Sequence, residues 1–129
     1  MLKSIPKVLT YALLAFFMIG ILKTLFSFSQ GDSKGLRKAL QQKVFWVDVR
    51  TPGEFASGSV PGSVNIPLDR LEQSLDRFKG KGTVVVFCRS GMRSSQARAI
   101  LKRHGFKNVV NGGSWEKVRD TKATLDNPK

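Results

Sequence analysis

Thr83-Val84-Val85-Val86-Phe87 is an unbroken β-branched and aromatic run that ends on the chain's one cysteine, Cys88. A run of this type and length reads as a strand buried on both faces, and such strands belong to parallel sheets covered by helices on each side. The flanking sequence alternates in the same sense. Leu36 to Gln42 reads as helical, and Val44 to Val49 as a second buried strand carrying one charge. Pro52 starts a short helical turn after Thr51, with Glu54 and Phe55 inside it. Ser63 to Ile66 reads as a brief strand between Pro61-Gly62 and Pro67. Leu68, Leu71, Leu75 and Phe78 follow helical spacing, and Gly80-Lys81-Gly82 stops that helix. Ser94 to His104 is amphipathic, with Ala97, Ile100, Leu101 and His104 on one face and Gly105 as the C-cap. Val109-Val110 reads as a last short strand, and Asn111-Gly112-Gly113 as a turn before Trp115. No internal repeat is present. Strands alternating with helices predict an α/β domain: an open, mainly parallel sheet with helices on both faces.

Length and composition narrow the partners. A chain of 129 residues, 41% of them hydrophobic, suits one folded domain and not two. The formal charge is +13, from 22 Lys+Arg against 9 Asp+Glu. Such an excess suits nucleic acid, an anionic membrane or a small anionic substrate. The basic residues are scattered from Lys34 to Lys129 with no run of five or six, which disfavours nucleic acid. A single cysteine allows no intramolecular disulfide and no cysteine-rich zinc site.

The N-terminal segment has its own logic. Val8 to Leu22 is free of charge and would span roughly 22 Å as a helix, short of a hydrocarbon core of about 30 Å. If Lys23 snorkels, the run extends to Phe28 and roughly 31 Å, which does span. Residues 1–29 therefore read as a single-pass membrane anchor. The alternative is a signal peptide, with Lys3 and Lys7 as its positive region and Ser27-Phe28-Ser29 as a small-x-small cleavage candidate. The chain would then be exported and soluble, periplasmic or secreted. The anchor is favoured: serine is a weak version of the alanine pattern, and Phe26 is unusually apolar so close to a cut. A buried core helix is disfavoured because the run has no polar face. Lys3, Lys7 and the terminal amine nearly balance Lys23, Lys34 and Arg37, so the positive-inside count gives no orientation. Residues 30–34 read as a linker, and residues 35–129 as the folded domain.

The segment after Cys88 carries the chemistry. Cys88 sits at the carboxyl end of a central strand, where open α/β sheets bind ligands. The loop then opens a helix at Ser94 or Ser95, both good N-cap types. Successive backbone N–H groups can form an anion-binding nest, and the helix N-terminus adds positive potential. Arg89 and Arg93 add formal charge. Each of these favours the thiolate, the reactive form of cysteine. Gly91 permits a left-handed turn. A lone cysteine can be a small buried hydrophobe, but this surrounding outweighs that reading. Cys88 is the candidate nucleophile, and Arg89, Ser90, Gly91, Met92, Arg93 and Ser94 are the candidate substrate-binding loop.

Cys88-Arg89-Ser90-Gly91-Met92-Arg93-Ser94 resembles the active loop of rhodaneses, the thiosulfate sulfurtransferases. Val47-Asp48-Val49-Arg50, Glu54-Phe55, Gly58 and Pro61-Gly62-Ser63-Val64-Asn65-Ile66-Pro67 resemble that family's upstream signature. Asn111-Gly112-Gly113-Ser114-Trp115 resembles its C-terminal one. The resemblance covers about residues 35 to 120 in the family's order. Ser59 departs from it, standing where these domains commonly have His, at a position read as structural.

The resemblance implies a sulfurtransferase. Cys88 would take a sulfane sulfur from a small anionic donor such as thiosulfate, hold it as a persulfide, and pass it to cyanide or a thiol. It implies no metal and no organic cofactor. One rival is a membrane-tethered persulfide carrier without turnover of its own. Another is a cysteine phosphatase or arsenate reductase. Cysteine-dependent phosphatases place five residues between Cys and Arg, whereas four separate Cys88 from Arg93, a smaller cradle better suited to a terminal sulfur. Arsenate reduction usually calls for a resolving thiol, and none is present. Asp48 and Arg50 read as a structural charge network beside the site. Glu54 reads as a surface or capping residue, His104 as a helix-end residue rather than a general base, and Trp115 as a core anchor. Arg89, next to the cysteine, would face solvent and attract an anionic substrate.

Overall fold

Val84 to Cys88 are all buried because their strand lies inside a four-stranded sheet. The computed structural model describes residues 4, 6–29, 35, 36, 38 and 43–127. In chain order these form α1 (Lys7–Ser29), β1 (Val44–Asp48), α2 (Pro52–Ser57), β2 (Val64–Asn65), two 3₁₀ segments (Leu68–Arg70 and Glu72–Phe78), β3 (Thr83–Cys88), α3 (Met92–Arg103), β4 (Val109–Ser114) and α4 (Trp115–Asp126). The strands lie in the order β2-β1-β3-β4, and every neighbouring pair is parallel. The linker read at 30–34 lies outside the described residues. Of the helix read at 36–42, Leu36 and Lys38 are described, and both are helical.

The alternation of β3 divides the core in two. Val84, Val86 and Cys88 face a layer built with Ala97 and Leu101 of α3 and with Leu71 and Phe78. Val85 and Phe87 face the other layer, with Leu36, Val60 and Val118 of α4. Helices thus cover both faces, as the run of apolar residues in β3 requires. Phe78 meets Phe45 edge-on at 5.6 Å between centroids and Phe106 at 5.9 Å. The alternation also places the cysteine side chain against α3.

Four expectations are corrected. Leu68 to Phe78 is not one α-helix but two 3₁₀ segments meeting at Leu71. With three residues per turn, Leu68 and Leu71 align, as do Leu75 and Phe78, so the apolar spacing is satisfied by the tighter helix. The helix after the cysteine starts at Met92, not at Ser94 or Ser95, with Gly91 as its N-cap at φ 92°. Its far end falls at Arg103, with His104 exposed as the cap residue. Asn111-Gly112-Gly113 is not a turn: β4 continues through it to Ser114, with Val86 opposite Asn111 and Phe87 opposite Gly113. Gly112 is the extra residue of a bulge. A Cβ there would lie 2.8 Å from Val118 Cγ2 and 3.0 Å from Val85 Cγ1, so only glycine lets α4 pack this close to the strand.

Helix α1 has 23 residues, roughly 34 Å at 1.5 Å per residue. Every side chain from Lys7 to Thr24 is exposed. Among the described residues it is the one helix long and apolar enough to cross a membrane.

Candidate active site

β3 delivers Cys88 to the carboxyl edge of the sheet, and the chain reverses through Arg89 and Ser90 into α3. The left-handed Gly91 makes that reversal tight enough for its own N–H to donate to Cys88 Sγ at 3.0 Å. Because α3 starts at Met92, Ser94 falls in its first turn, buried beside the sulfur, with Oγ 3.5 Å from Sγ.

Asn111 locks this arrangement from β4. Its Oδ1 accepts from the Ser94 hydroxyl at 2.7 Å and from Gly113 N–H at 3.0 Å, and its Nδ2 donates to the Gly91 carbonyl at 3.2 Å. A serine hydroxyl has one proton. While that proton is on Asn111, the thiol must be the donor in the Cys88–Ser94 contact. Once Cys88 is a thiolate, the hydroxyl can turn to the sulfur, and Asn111 Oδ1 keeps its bond from Gly113.

Burial pushes the Cys88 thiol up, but the Ser94 hydroxyl and the N–H groups of Ser94, Gly91 and Ser90 more than offset it, leaving the thiol below its usual value. Cys88 itself is 0% exposed. The Gly91 turn and the first turn of α3, with Ser94, pack directly over the sulfur.

The arginines take different places. Arg89, next to the cysteine, is exposed. Arg93, expected to contact an anion, forms a bidentate pair with Glu54: Nη1 to Oε1 at 2.7 Å and Nη2 to Oε2 at 2.9 Å. The hydrogen bonds from Arg93 hold Glu54 down to about 2 despite the opposing effect of burial. The same pairing raises Arg93, with the nearby Cys88 thiolate contributing. Glu54 is also a capping residue, as expected. It closes a capping box with Thr51, accepting from Thr51 N–H at 3.3 Å while the Thr51 hydroxyl accepts from Glu54 N–H at 3.3 Å.

Asp48 and Arg50 form a buried structural network. The Arg50 guanidinium reaches Asp48 Oδ2 from Nη2 at 2.7 Å and from Nε at 2.9 Å, and Gly58 O from Nη2 at 2.6 Å. It also lies 4.6 Å from the Trp115 ring centroid. This ties the end of β1 to α2 and α4, just below the loop. Trp115 is an anchor in that packing, half-buried beside Val118. Ser90 is exposed on the loop and Met92 at the first position of α3. His104 sits at the opposite end of α3 from the cysteine and takes no part. Asn111 is the residue that sequence reasoning missed: an Asn-Gly-Gly triplet signals a turn, and only strand pairing puts its amide under the loop.

Comparison with known proteins gives a consistent result. Residues 32–120 match the family model described as the rhodanese-like domain. A sulfurtransferase of Allochromatium vinosum is 37% identical over 82 residues, spanning 62% of this chain and 77% of the relative. A thiosulfate sulfurtransferase of Escherichia coli is 33% identical, over 57% of this chain and 72% of the relative. The solved structure of an Escherichia coli rhodanese with anions superposes with a TM-score of 0.54 at 34% identity, covering 57% of this chain and 89% of that one.

Proposed function

Because the chain belongs to the family of rhodanese-like domains, we propose that it is a sulfurtransferase that carries a sulfane sulfur on Cys88, taken from thiosulfate or a similar donor. The observation that carries this reading is the Gly91 N–H at 3.0 Å from Cys88 Sγ, in a loop that also lowers the thiol.

The Cys88 thiolate attacks the outer sulfur of thiosulfate. The sulfur–sulfur bond of the donor breaks, its electron pair leaves with sulfite, and Cys88 becomes a persulfide anion. An acceptor nucleophile, cyanide or a thiolate, then attacks the terminal sulfur, and the Cys88 thiolate is regenerated. Charge balances in both steps without a proton transfer, consistent with a loop that offers no general base. Splitting one transfer into two is covalent catalysis. Backbone N–H groups of Ser90 to Ser94 stabilise the anionic sulfur as oxyanion-hole donors stabilise oxygen. Arg89 at the mouth draws in the dianionic donor, and Met92 and Arg93 flank its path. Asp48 and Arg50 support the loop from below.

A persulfide carrier served by a partner protein is the second reading. Two observations favour it: Cys88 is fully covered, and Glu54 already neutralises Arg93. Turnover of thiosulfate with cyanide by the purified chain, set against a single-turnover persulfide, separates the two. Continuous thiocyanate production supports the enzyme, and one equivalent per chain supports the carrier. We further propose that α1 anchors the chain in a membrane, on the strength of its length and the charge-free, exposed run from Val8 to Leu22.

A further inference from the structure

The end of the sheet opposite Cys88 holds a groove of about 390 Å³ between the start of β3, the last turns of α3, the α3–β4 connection and residues 35 and 38. Among the described residues four cations line it, Lys38, Arg98, Lys102 and Lys107, and no acidic residue does. None of the four is ion-paired among the described residues, where the salt bridges join Asp48 to Arg50, Glu54 to Arg93, Asp76 to Lys79, Asp120 to Arg119 and Asp126 to Lys122. Arg98 is held in place by its Nε–H, which donates to Val109 O at 3.0 Å. Arg98 and Lys102 are one helical turn apart, a like-charge spacing that disfavours the helix unless an anion lies between them. The fold thus brings four cations that are scattered along the sequence to one polar concavity.

The position of the groove identifies its occupant. Gly35 forms part of its wall, and six residue steps separate Gly35 from Ser29, the end of α1. Even fully extended, six residues reach no more than about 22 Å. Helix α1 also touches α3, the helix that carries Arg98 and Lys102. A chain anchored through α1 therefore keeps this groove near the headgroups. Cys88 lies at the other end of β3, five residue steps or roughly 17 Å away along the strand.

We propose that this groove seats the phosphate of an anionic phospholipid headgroup, and so turns the Cys88 loop away from the bilayer toward water-borne donors. The proposal rests on the reading of α1 as an anchor. Lysine and arginine near a membrane surface are drawn to anionic lipid in a salt-sensitive way. A groove of polar walls and four cations suits a phosphodiester and not an apolar chain.

The test reconstitutes the full chain into vesicles of phosphatidylcholine, with and without phosphatidylglycerol. Flotation reports anchoring, and lysine acetylation read by mass spectrometry reports contact. With phosphatidylglycerol, Lys38, Lys102 and Lys107 should react several-fold more slowly than in phosphatidylcholine. Lys117, at the start of α4 on the Cys88 side, should be unchanged. High salt should abolish the protection, and Lys102→Glu should weaken it at Lys38 and Lys107 while flotation persists. Flotation without protection, or equal protection of Lys117, overturns the proposal alone. Equal protection by inorganic phosphate in phosphatidylcholine vesicles overturns the lipid source. A chain that floats with neither vesicle overturns the anchor and this proposal together.

Discussion

Around Cys88, single hydrogen bonds decide reactivity. The thiol lies below its usual value through the Ser94 hydroxyl and three backbone N–H groups working against burial. The rate of alkylation should therefore fall, as pH drops, at a midpoint below that of an ordinary cysteine. The Ser94 hydroxyl is the largest of the effects that lower the thiol, so Ser94→Ala should raise the midpoint. A midpoint unmoved by Ser94→Ala would leave the backbone donors as the whole cause. Glu54 makes a second residue-scale claim. Its folded value, about 2 against an ordinary 4.5, is depressed, so its stabilisation is present above about 4.5 and lost as pH falls toward 2. Both partners are about a third exposed, 34% and 31%, so solvent screening keeps the effect small. Thermal melts of the wild type and Glu54→Gln should differ at neutral pH and converge as pH approaches 2. Curves that stay parallel across that window would remove the ion pair from the account.

The elements show where sequence was legible and where it was not. The strand at Val84 to Cys88, the helix over Ala97 and Leu101, and the placing of Cys88 at a strand end all follow from periodicity and residue type. They survive because the strand is buried on both faces and the helix packs its apolar side, Ala97 and Leu101, against it. The start of α3 lies two to three residues before the serines, because serine is the usual cap and a left-handed glycine serving as one leaves no side-chain signal. Asn111-Gly112-Gly113 reads as a turn because its turn chemistry is local, whereas its pairing with β3 and the approach of Val118 to Gly112 are set by residues distant in sequence. The Glu54–Arg93 pair spans 39 residues and leaves no trace in local pattern. Close packing at Gly112 gives the element-scale prediction. Gly112→Ala should push α4 off the sheet and cost about 1–3 kcal/mol, as overpacking does. The denaturation midpoint measures it, and an unchanged midpoint would mean that Val118 and Val85 yield freely.

At the scale of the whole molecule, the chain joins a basic domain to an apolar helix. Arginine and lysine exceed acidic residues by 19 to 9 after Ser29, counting from the sequence. Retention of α1 would keep that surplus beside lipid. The natively expressed protein should have the intact mass of the full chain and sediment with membranes. A mass lacking the first 29 residues, in a soluble exported fraction, would show a signal peptide instead and leave the chemistry of Cys88 untouched.

That chemistry is tested most directly by intact mass after incubation with thiosulfate. The wild type should gain one sulfur atom per chain and lose it on addition of cyanide, with thiocyanate released. Cys88→Ser, a near-isosteric change beside Ser94, should stay folded and gain nothing. A wild type that gains no sulfur, or a Cys88→Ser chain that still yields thiocyanate, would contradict the assignment of Cys88 as the sulfur carrier.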